Sequence, residues 1–409
     1  MQVASTNLRY TLPDASDLTF DDILAPIGAE EFFAEYHDRK PLHIPGGGSK
    51  FSSLMSWDGL NSLLNMSSVW TPASLQLALN GEMVPPSQYC RPSVGTEGNH
   101  QLRPDAEAVT RFLKQGASLV ANDIDTLTPD LAAIANALET ALNGKAQTNL
   151  YCSWRAQRAF NSHFDTHDVY AIHTLGEKVW HIYEGRLDNP IAHPGYKNFG
   201  HEYHEQHKGR VVAKITMQPG DLLYIPRGQY HDALASSDGT IHVSFGVTAV
   251  IGLDLLTLLY DHAVADSLFR ANVPRPSDET AVVDHLAQLA ERLSEIVCQP
   301  TTQENVVEFQ RDFRYRRGGF TLPIVPISAA YRVASGSLNM EQKGTGWVLT
   351  SKKGEVAIPA EYEEQIRWVI ARKRFLSEEF GVAFPDTTSA GRESLLTDLS
   401  AMKVIQLIK

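Results

Sequence analysis

His163 and Asp165 stand two residues apart in His163-Phe164-Asp165, beside strand-like sequence. On an extended chain residues i and i+2 point to the same face, so an imidazole and a carboxylate would share it. A second imidazole, His231, comes just after the strand and turn Pro219-Gly220-Asp221-Leu222-Leu223-Tyr224-Ile225-Pro226-Arg227-Gly228. If that strand lies across a barrel, the three side chains converge on one metal. Two neutral imidazoles and a carboxylate bind one triangular face of an octahedron, leave three positions open and suit Fe(II). Those positions can take both ends of an α-keto acid and one O2. A zinc hydrolase could use similar ligand types, and an isolated His-x-Asp occurs by chance in many proteins. His231, in its strand-turn context, supplies the third ligand.

Lys178 begins a strand in Gly176-Glu177-Lys178-Val179-Trp180. Directed into the barrel, it could anchor the distal carboxylate of 2-oxoglutarate as a point charge; directed outward, it is an exposed strand-end lysine. Other polar clusters carry less. His193, His201, His204 and His207 crowd a hydrophilic stretch with irregular spacing, which reads as a solvated loop rather than a second metal site. His167-Asp168 offers decoy ligands, with alternation placing His167 nominally inward. Arg367, Arg372, Lys373 and Arg374 are interleaved with Glu361, Glu363, Glu364, Glu378 and Glu379, giving a mixed, solvated face.

The elements that must position these residues are mostly short strands. Between Thr148 and Val250, β-rich runs punctuated by Gly, Pro and Asp cover Leu150 to Trp154, Val169 to Thr174, Val179 to Tyr183, Val211 to Met217, Leu222 to Ile225 and Ile241 to Val247. So many short strands in one unit predict a closed or double-sheet architecture. Before them lies a mixed preamble, with a helix over Glu30 to Tyr36, a short strand at Lys40 to Pro45 and a helix over Asp130 to Leu142. After them, Leu253 to Val264 and Glu279 to Val297 carry helical periodicity. Beyond Gly318-Gly319 come strands at Trp347 to Thr350 and Glu355 to Ile358, then helix-like Glu361 to Phe380 and Ala390 to Ile408.

Length and composition bound the reading. At 409 residues the chain should hold two or three packed units. Cys90, Cys152 and Cys298 are far apart and form no Cys-x-x-Cys pair, which argues against a thiolate zinc site and fits a reducing cytoplasm. No segment approaches the roughly 18 continuous apolar residues of a membrane helix, and the first thirty residues lack a leader pattern, so no membrane partner is expected. A net charge of -12 opposes nucleic acid as the primary partner and tolerates a basic polypeptide.

Taken in order, Asn149-x-Tyr151, His163-x-Asp165, Gly176-x-Lys178-x-Trp180, Pro219-Gly220-Asp221-x-x-Tyr224-x-Pro226-Arg227-Gly228-x-x-His231 and His242-Val243-Ser244 resemble the JmjC-type cupins of the ribosomal-oxygenase group. Phe33 and Lys40-Pro41-Leu42 are similar to that group's entry segment. The resemblance implies a mainly β fold with helices: a double-stranded β-helix (cupin/JmjC jelly roll) with its preamble over 1–250, a helical, dimerising unit over 251–315, and a winged-helix-like α+β unit over 316–409. It implies His163, Asp165 and His231 as Fe(II) ligands and Lys178 as the 2-oxoglutarate anchor. Asn149 and Tyr151 fall on the pocket wall, and Ser244 falls near the cosubstrate.

The implied activity is a dioxygenase that uses O2 to hydroxylate a His or Arg β-carbon in a protein or peptide substrate, in a cytoplasmic homodimer. N-demethylation by a JmjC enzyme and a catalytically silent cupin binding module are the alternatives. The chain departs from the group at His173, where Gln is expected and where a core histidine bonded to a carbonyl fits. It departs again in Ser153 to Phe160, which lacks Pro and Gly.

Overall fold

The computed structural model describes residues 12–13, 15, 17–94, 98, 100–154, 161–197, 199–317, 329–333, 338–344, 346–351 and 354–408. Residues 155–160, part of the stretch that departs from the resembling group, and Gly318-Gly319 lie outside the described residues. The chain divides into two compact units, Met1–Gly318 and Gly319–Lys409.

The strands of the first unit are β1 (Leu42–Ile44), β2 (Leu75–Leu79), β3 (Glu82–Met83), β4 (Cys90–Val94), β5 (His100–Pro104), β6 (Ser118–Ala121), β7 (Gly144–Ser153), β8 (Asp168–Leu175), β9 (Lys178–Arg186), β10 (Val211–Met217), β11 (Leu222–Ile225), β12 (Gln229–Ala235) and β13 (Thr240–Ala249). Its helices are α1 (Phe20–Leu24), α2 (Ala29–Glu35), α3 (Trp57–Leu64), α4 (Ala106–Lys114), α5 (Pro129–Leu142), α6 (Pro194–Lys197), α7 (His201–His207), α8 (Gly252–Ala265), α9 (Glu279–Cys298) and α10 (Pro300–Asp312).

Two antiparallel sheets form the double-stranded β-helix. The larger runs β1-β11-β8-β13-β7-β6-β2-β3 and the smaller runs β10-β9-β12. Alternation gives each face of the larger sheet its own task. On one face Leu150, Cys152, Ile172, Ile241, Val243 and Phe245 join the main core with Leu131, Ile134 and Leu138 of α5. On the other, Val169 and Ala171 of β8 pack against Trp180 and Ile182 of β9 in the smaller sheet.

Local chemistry explains where α5 starts and stops. Thr128 accepts a bond from the Leu131 amide at 3.3 Å, Pro129 takes the first turn, and Asn143 ends the helix in the left-handed region at φ 46°. β7 begins at the next residue.

The preamble is part of the barrel. β1 pairs with β11, with His43 opposite Leu223, while β2 and β3 extend the far edge through β6. This joint depends on glycine: a Cβ on Gly46 would lie 1.6 Å from the Gly220 carbonyl oxygen, and Gly220 itself sits at φ +93°. Asp221 closes the joint, accepting from the Gly46 amide at 3.0 Å and pairing with buried His43 at 3.0 Å.

The His193–His207 stretch is a correction to the expected loop, because it holds α6 and α7. Pro194 opens the first; in the second Tyr203 stacks on His207 at 3.9 Å and on Phe199, just before the helix, at 4.0 Å, centroid to centroid. After the barrel, α10 follows the two expected helices. No helix among the described residues is long and apolar enough to cross a membrane.

The second unit has the strands β14 (Ala330–Val333), β15 (Asn339–Lys343), β16 (Gly346–Ser351), β17 (Gly354–Ile358), β18 (Arg374–Leu376) and β19 (Ile405–Ile408), with α11 (Glu363–Ile370), α12 (Ser377–Ala383) and α13 (Ser389–Ala401). Its sheets are β18-β14-β19 and β15-β16-β17, around a core that includes Ile366, Phe375, Phe380 and Leu399. The helix expected over 361–380 is interrupted by β18, and the one expected over 390–408 stops at Ala401 and gives way to β19. β18 and β19 flank β14, whose ladder bonds outweigh the local helical spacing.

Candidate active site

His163 and His231 are cross-strand partners. The His163 amide donates to the His231 carbonyl at 3.0 Å and the His231 amide returns a bond at 2.8 Å. The Gly228 amide donates to the Asp165 carbonyl at 2.9 Å, so the backbone holds both motifs in register before any ligand arrives. One ligand atom from each of His163, Asp165 and His231 lies within 4.8 Å of the others. His231 Nε2 is 3.5 Å from Asp165 Oδ2, and His163 Nε2 is 4.0 Å from Asp165 Oδ1.

Each ring is oriented through its other nitrogen. His163 Nδ1 donates to the Asn161 carbonyl at 2.8 Å and His231 Nδ1 to the Gln229 carbonyl at 3.0 Å. A carbonyl only accepts, so both Nδ1 atoms carry the proton and both Nε2 lone pairs face the carboxylate, the tautomers a metal needs. Burial, and then His163, push the pKa of His231 down to about 4, keeping it neutral. Burial would raise that of Asp165, but His163, His167 and His231 outweigh it and hold the carboxyl below its ordinary range. The donor set therefore fits one divalent ion with open positions.

The triad opens into a cavity between the sheets. Tyr151 of β7, Val169 of β8, Lys178 and Trp180 of β9, Ala233 of β12, and His242 and Ser244 of β13 complete its lining. The Lys178 side chain points into this cavity and is 3% exposed. Desolvation lowers its pKa to about 7, and among the described residues no carboxylate pairs with it. Its Nζ hydrogen-bonds His242 Nδ1 at 3.3 Å and lies 6.0 Å from the Tyr151 ring centroid.

Asn149 is placed differently from Tyr151 and Ser244. It is absent from the cavity lining; it hydrogen-bonds Tyr151 and accepts from the Asp123 amide at 3.2 Å. Burial raises the Tyr151 pKa, so its phenol stays protonated.

The decoys are accounted for. A Cβ on Gly246 would come 2.5 Å from the His167 ring, so His167 packs over the bare backbone of β13 outside the cavity lining. Asp168 accepts from the Arg227 amide at 2.8 Å. His173 is fully buried, and its Nε2 donates to the Gly176 carbonyl at 2.9 Å. His242 was visible in sequence only within a motif. Its place beside Lys178 follows from a strand register that pairs it with both Tyr151 and His173.

Residues 123–255 match the family described as JmjC domain. The chain is similar to "Ribosomal oxygenase 2" of Bos taurus, 25% identical over 334 residues that cover 76% of this chain and 67% of that one. It is also similar to the "Bifunctional lysine-specific demethylase and histidyl-hydroxylase NO66" of Dictyostelium discoideum, 23% identical over 224 residues, 54% of this chain and 41% of the relative. The chain thus spans less than half the length of the Dictyostelium relative. Among solved structures, YcfD, a ribosomal oxygenase from Escherichia coli in complex with cobalt and 2-oxoglutarate, is 16% identical with a TM-score of 0.47, covering 94% of this chain and 99% of that one.

Proposed function

With a JmjC domain over residues 123–255 as the premise, we propose that this chain is an Fe(II)- and 2-oxoglutarate-dependent dioxygenase that hydroxylates an amino-acid side chain of a protein or peptide. The observation that carries the reading is a conjunction in one cavity: a His-Asp-His set with open positions, and a buried lysine with no carboxylate partner among the described residues. A metal hydrolase explains the first and leaves the second without purpose.

In this reading His163, Asp165 and His231 hold the metal on one face. Bound iron, with 2-oxoglutarate and O2, supplies the oxidation that places one oxygen atom in a substrate C–H bond and releases succinate and CO2. The remaining work belongs to the chain. Lys178 binds the distal carboxylate at the cavity floor, Tyr151 and Ser244 line its path, and Asn149 orients the Tyr151 phenol. Trp180 lies 5.8 Å from His231, centroid to centroid, with the rings 30° apart, and shields that ligand from water.

The relatives' names support a polypeptide substrate, with a ribosomal protein the first candidate. The test is succinate release with Fe(II) and 2-oxoglutarate, followed by peptide mass. A gain of one oxygen supports hydroxylation, loss of a methyl group indicates demethylation, and no turnover with any peptide overturns the reading.

The same reading extends to assembly and place. Residues 251–315 form the dimerising unit. Leu253, Leu256, Tyr260 and Val264 make an exposed apolar stripe along α8, and Val283 and Leu286 are exposed on α9. Residues 316–409 aid substrate capture as a winged-helix-like unit. Buried Cys90 and Cys152 and exposed Cys298 are all free thiols, which supports a reducing, cytoplasmic setting.

A further inference from the structure

Three basic side chains from three strands come together at this end of the barrel: Lys178 of β9 and His242 of β13, which line the cavity, and His173 of β8 behind them. All are buried. His242 faces His173 across the β13–β8 ladder and stacks on Tyr151 at 4.8 Å with the rings 8° apart, while Trp180 meets it edge-on at 5.4 Å. These contacts fix the plane of the imidazole, so its Nδ1 has one direction open to it, toward Lys178 Nζ at 3.3 Å. In its charged form Lys178 is an ammonium with no lone pair to offer, so the Nδ1 is then the acceptor and the ring proton sits on Nε2.

We propose that His242 is a positioning residue for the carboxylate anchor: its Nδ1 accepts a hydrogen bond from one N–H of the Lys178 ammonium and so aims the others at the incoming distal carboxylate. This rests on the oxygenase reading above and deepens it. A lysine side chain has four rotatable bonds and three equivalent donors, and without a fixed acceptor it would spread over several rotamers. His242 supplies that acceptor without supplying charge. An Asp or Glu in its place would neutralise the ammonium and compete with the cosubstrate for it.

The neighbourhood agrees. Four titratable groups flank Lys178, Tyr151 and Cys152 on β7, His173 on β8 and His242 on β13, while His163, Asp165 and His231 share its cavity. Burial raises the pKa values of the first two and lowers those of His173 and His242, so all four are neutral near pH 7. Asp221, the carboxylate that faces His173, is already held by His43 and the Gly46 amide. His173 Nδ1 is buried with no hydrogen-bond partner among the described residues, and none of their carboxylates pairs with Lys178. A dianionic α-keto acid supplies the missing charge.

The test compares His242→Leu, which keeps volume and removes the acceptor, with His242→Asn, whose carboxamide oxygen can replace Nδ1. Binding of 2-oxoglutarate to the full chain loaded with Mn(II) is measured by calorimetry across pH, with Mn(II) affinity and thermal midpoint measured alongside. A hydrogen bond to a charged group predicts a roughly ten- to hundredfold weaker Kd for the Leu variant. The Asn variant should stay within about threefold of wild type, and Mn(II) affinity should be unchanged in both. The pH above which affinity declines should move down in the Leu variant, because its ammonium has lost an acceptor. Wild-type affinity in the Leu variant, or equal loss in Leu and Asn, would overturn the inference while leaving the oxygenase reading intact. Failure of the wild-type protein to bind 2-oxoglutarate would overturn both.

Discussion

Replacing Lys178 by Met should make the protein more stable and its hold on 2-oxoglutarate far weaker, and the size of the first effect follows from burial. Lys178 is 3% exposed, and desolvation takes its pKa from the ordinary 10.5 to about 7. In the window between those values the unfolded chain binds a proton that the folded chain does not, so stability rises with pH there. Below pH 7 both states are charged and the full penalty applies. Above 10.5 both are neutral and it disappears. At about 1.4 kcal/mol per pH unit the penalty near neutrality is roughly 5 kcal/mol.

Met removes that penalty and keeps most of the volume, but strands His242 Nδ1 without a donor at a cost of about 1–3 kcal/mol. A net gain of roughly 2–4 kcal/mol remains, worth a rise of about 4 °C or more in thermal midpoint. Calorimetry at pH 6.5, 8 and 9.5 without 2-oxoglutarate should show the gain shrinking as pH rises. A variant less stable than wild type at pH 6.5, or a difference flat in pH, would refute the argument that this lysine is held uncompensated for a ligand. Stability given up at one buried residue is expected where the residue serves binding.

Arg317 is the counterpart case, a buried charge that is fully paired. It donates to Asp125 at 2.8 Å, Glu139 at 2.5 Å and the Ala146 carbonyl at 2.6 Å, tying the chain after α10 to α5 and β7. Arg317→Met leaves Glu139 buried without its cation and should cost about 3–5 kcal/mol, read as a lower urea midpoint; an unchanged midpoint would mean that the network is dispensable. Tyr260, 68% exposed on α8, tests assembly: Tyr260→Glu should shift sedimentation from dimer toward monomer, whereas a wild-type chain that stays monomeric across micromolar concentrations excludes the dimer.

The parts of the site legible in sequence were those set by short spacing. His163 and Asp165 share a face because strands alternate, and Lys178 and Trp180 do so for the same reason. The six strand runs between residues 150 and 247 each fall on a strand of the barrel, and α5 was marked by Thr128 and Pro129. Contacts set by register were hidden. His242 lies 64 residues from Lys178, and nothing local announces that β13 and β9 bring them together. The His43–Asp221 joint spans 178 residues, so β1 read as preamble rather than as a barrel edge. The α7 helix was missed because its histidines look like solvated punctuation. Its order comes from ring stacking and from Phe164 packing against His204 and Tyr230, none of which periodicity records.

The account's central claim is that His163, Asp165 and His231 hold iron while Lys178 holds 2-oxoglutarate beside it. Bidentate chelation of Fe(II) by an α-keto acid gives a visible charge-transfer absorption in the absence of oxygen, and an anaerobic titration of the Fe(II)-loaded chain with 2-oxoglutarate reads both halves of the claim. The account predicts a saturable band in the wild-type protein, its loss in Asp165→Ala, and a band in Lys178→Met that needs far higher 2-oxoglutarate to develop. No band at saturating 2-oxoglutarate, or a wild-type titration in Asp165→Ala, would contradict it.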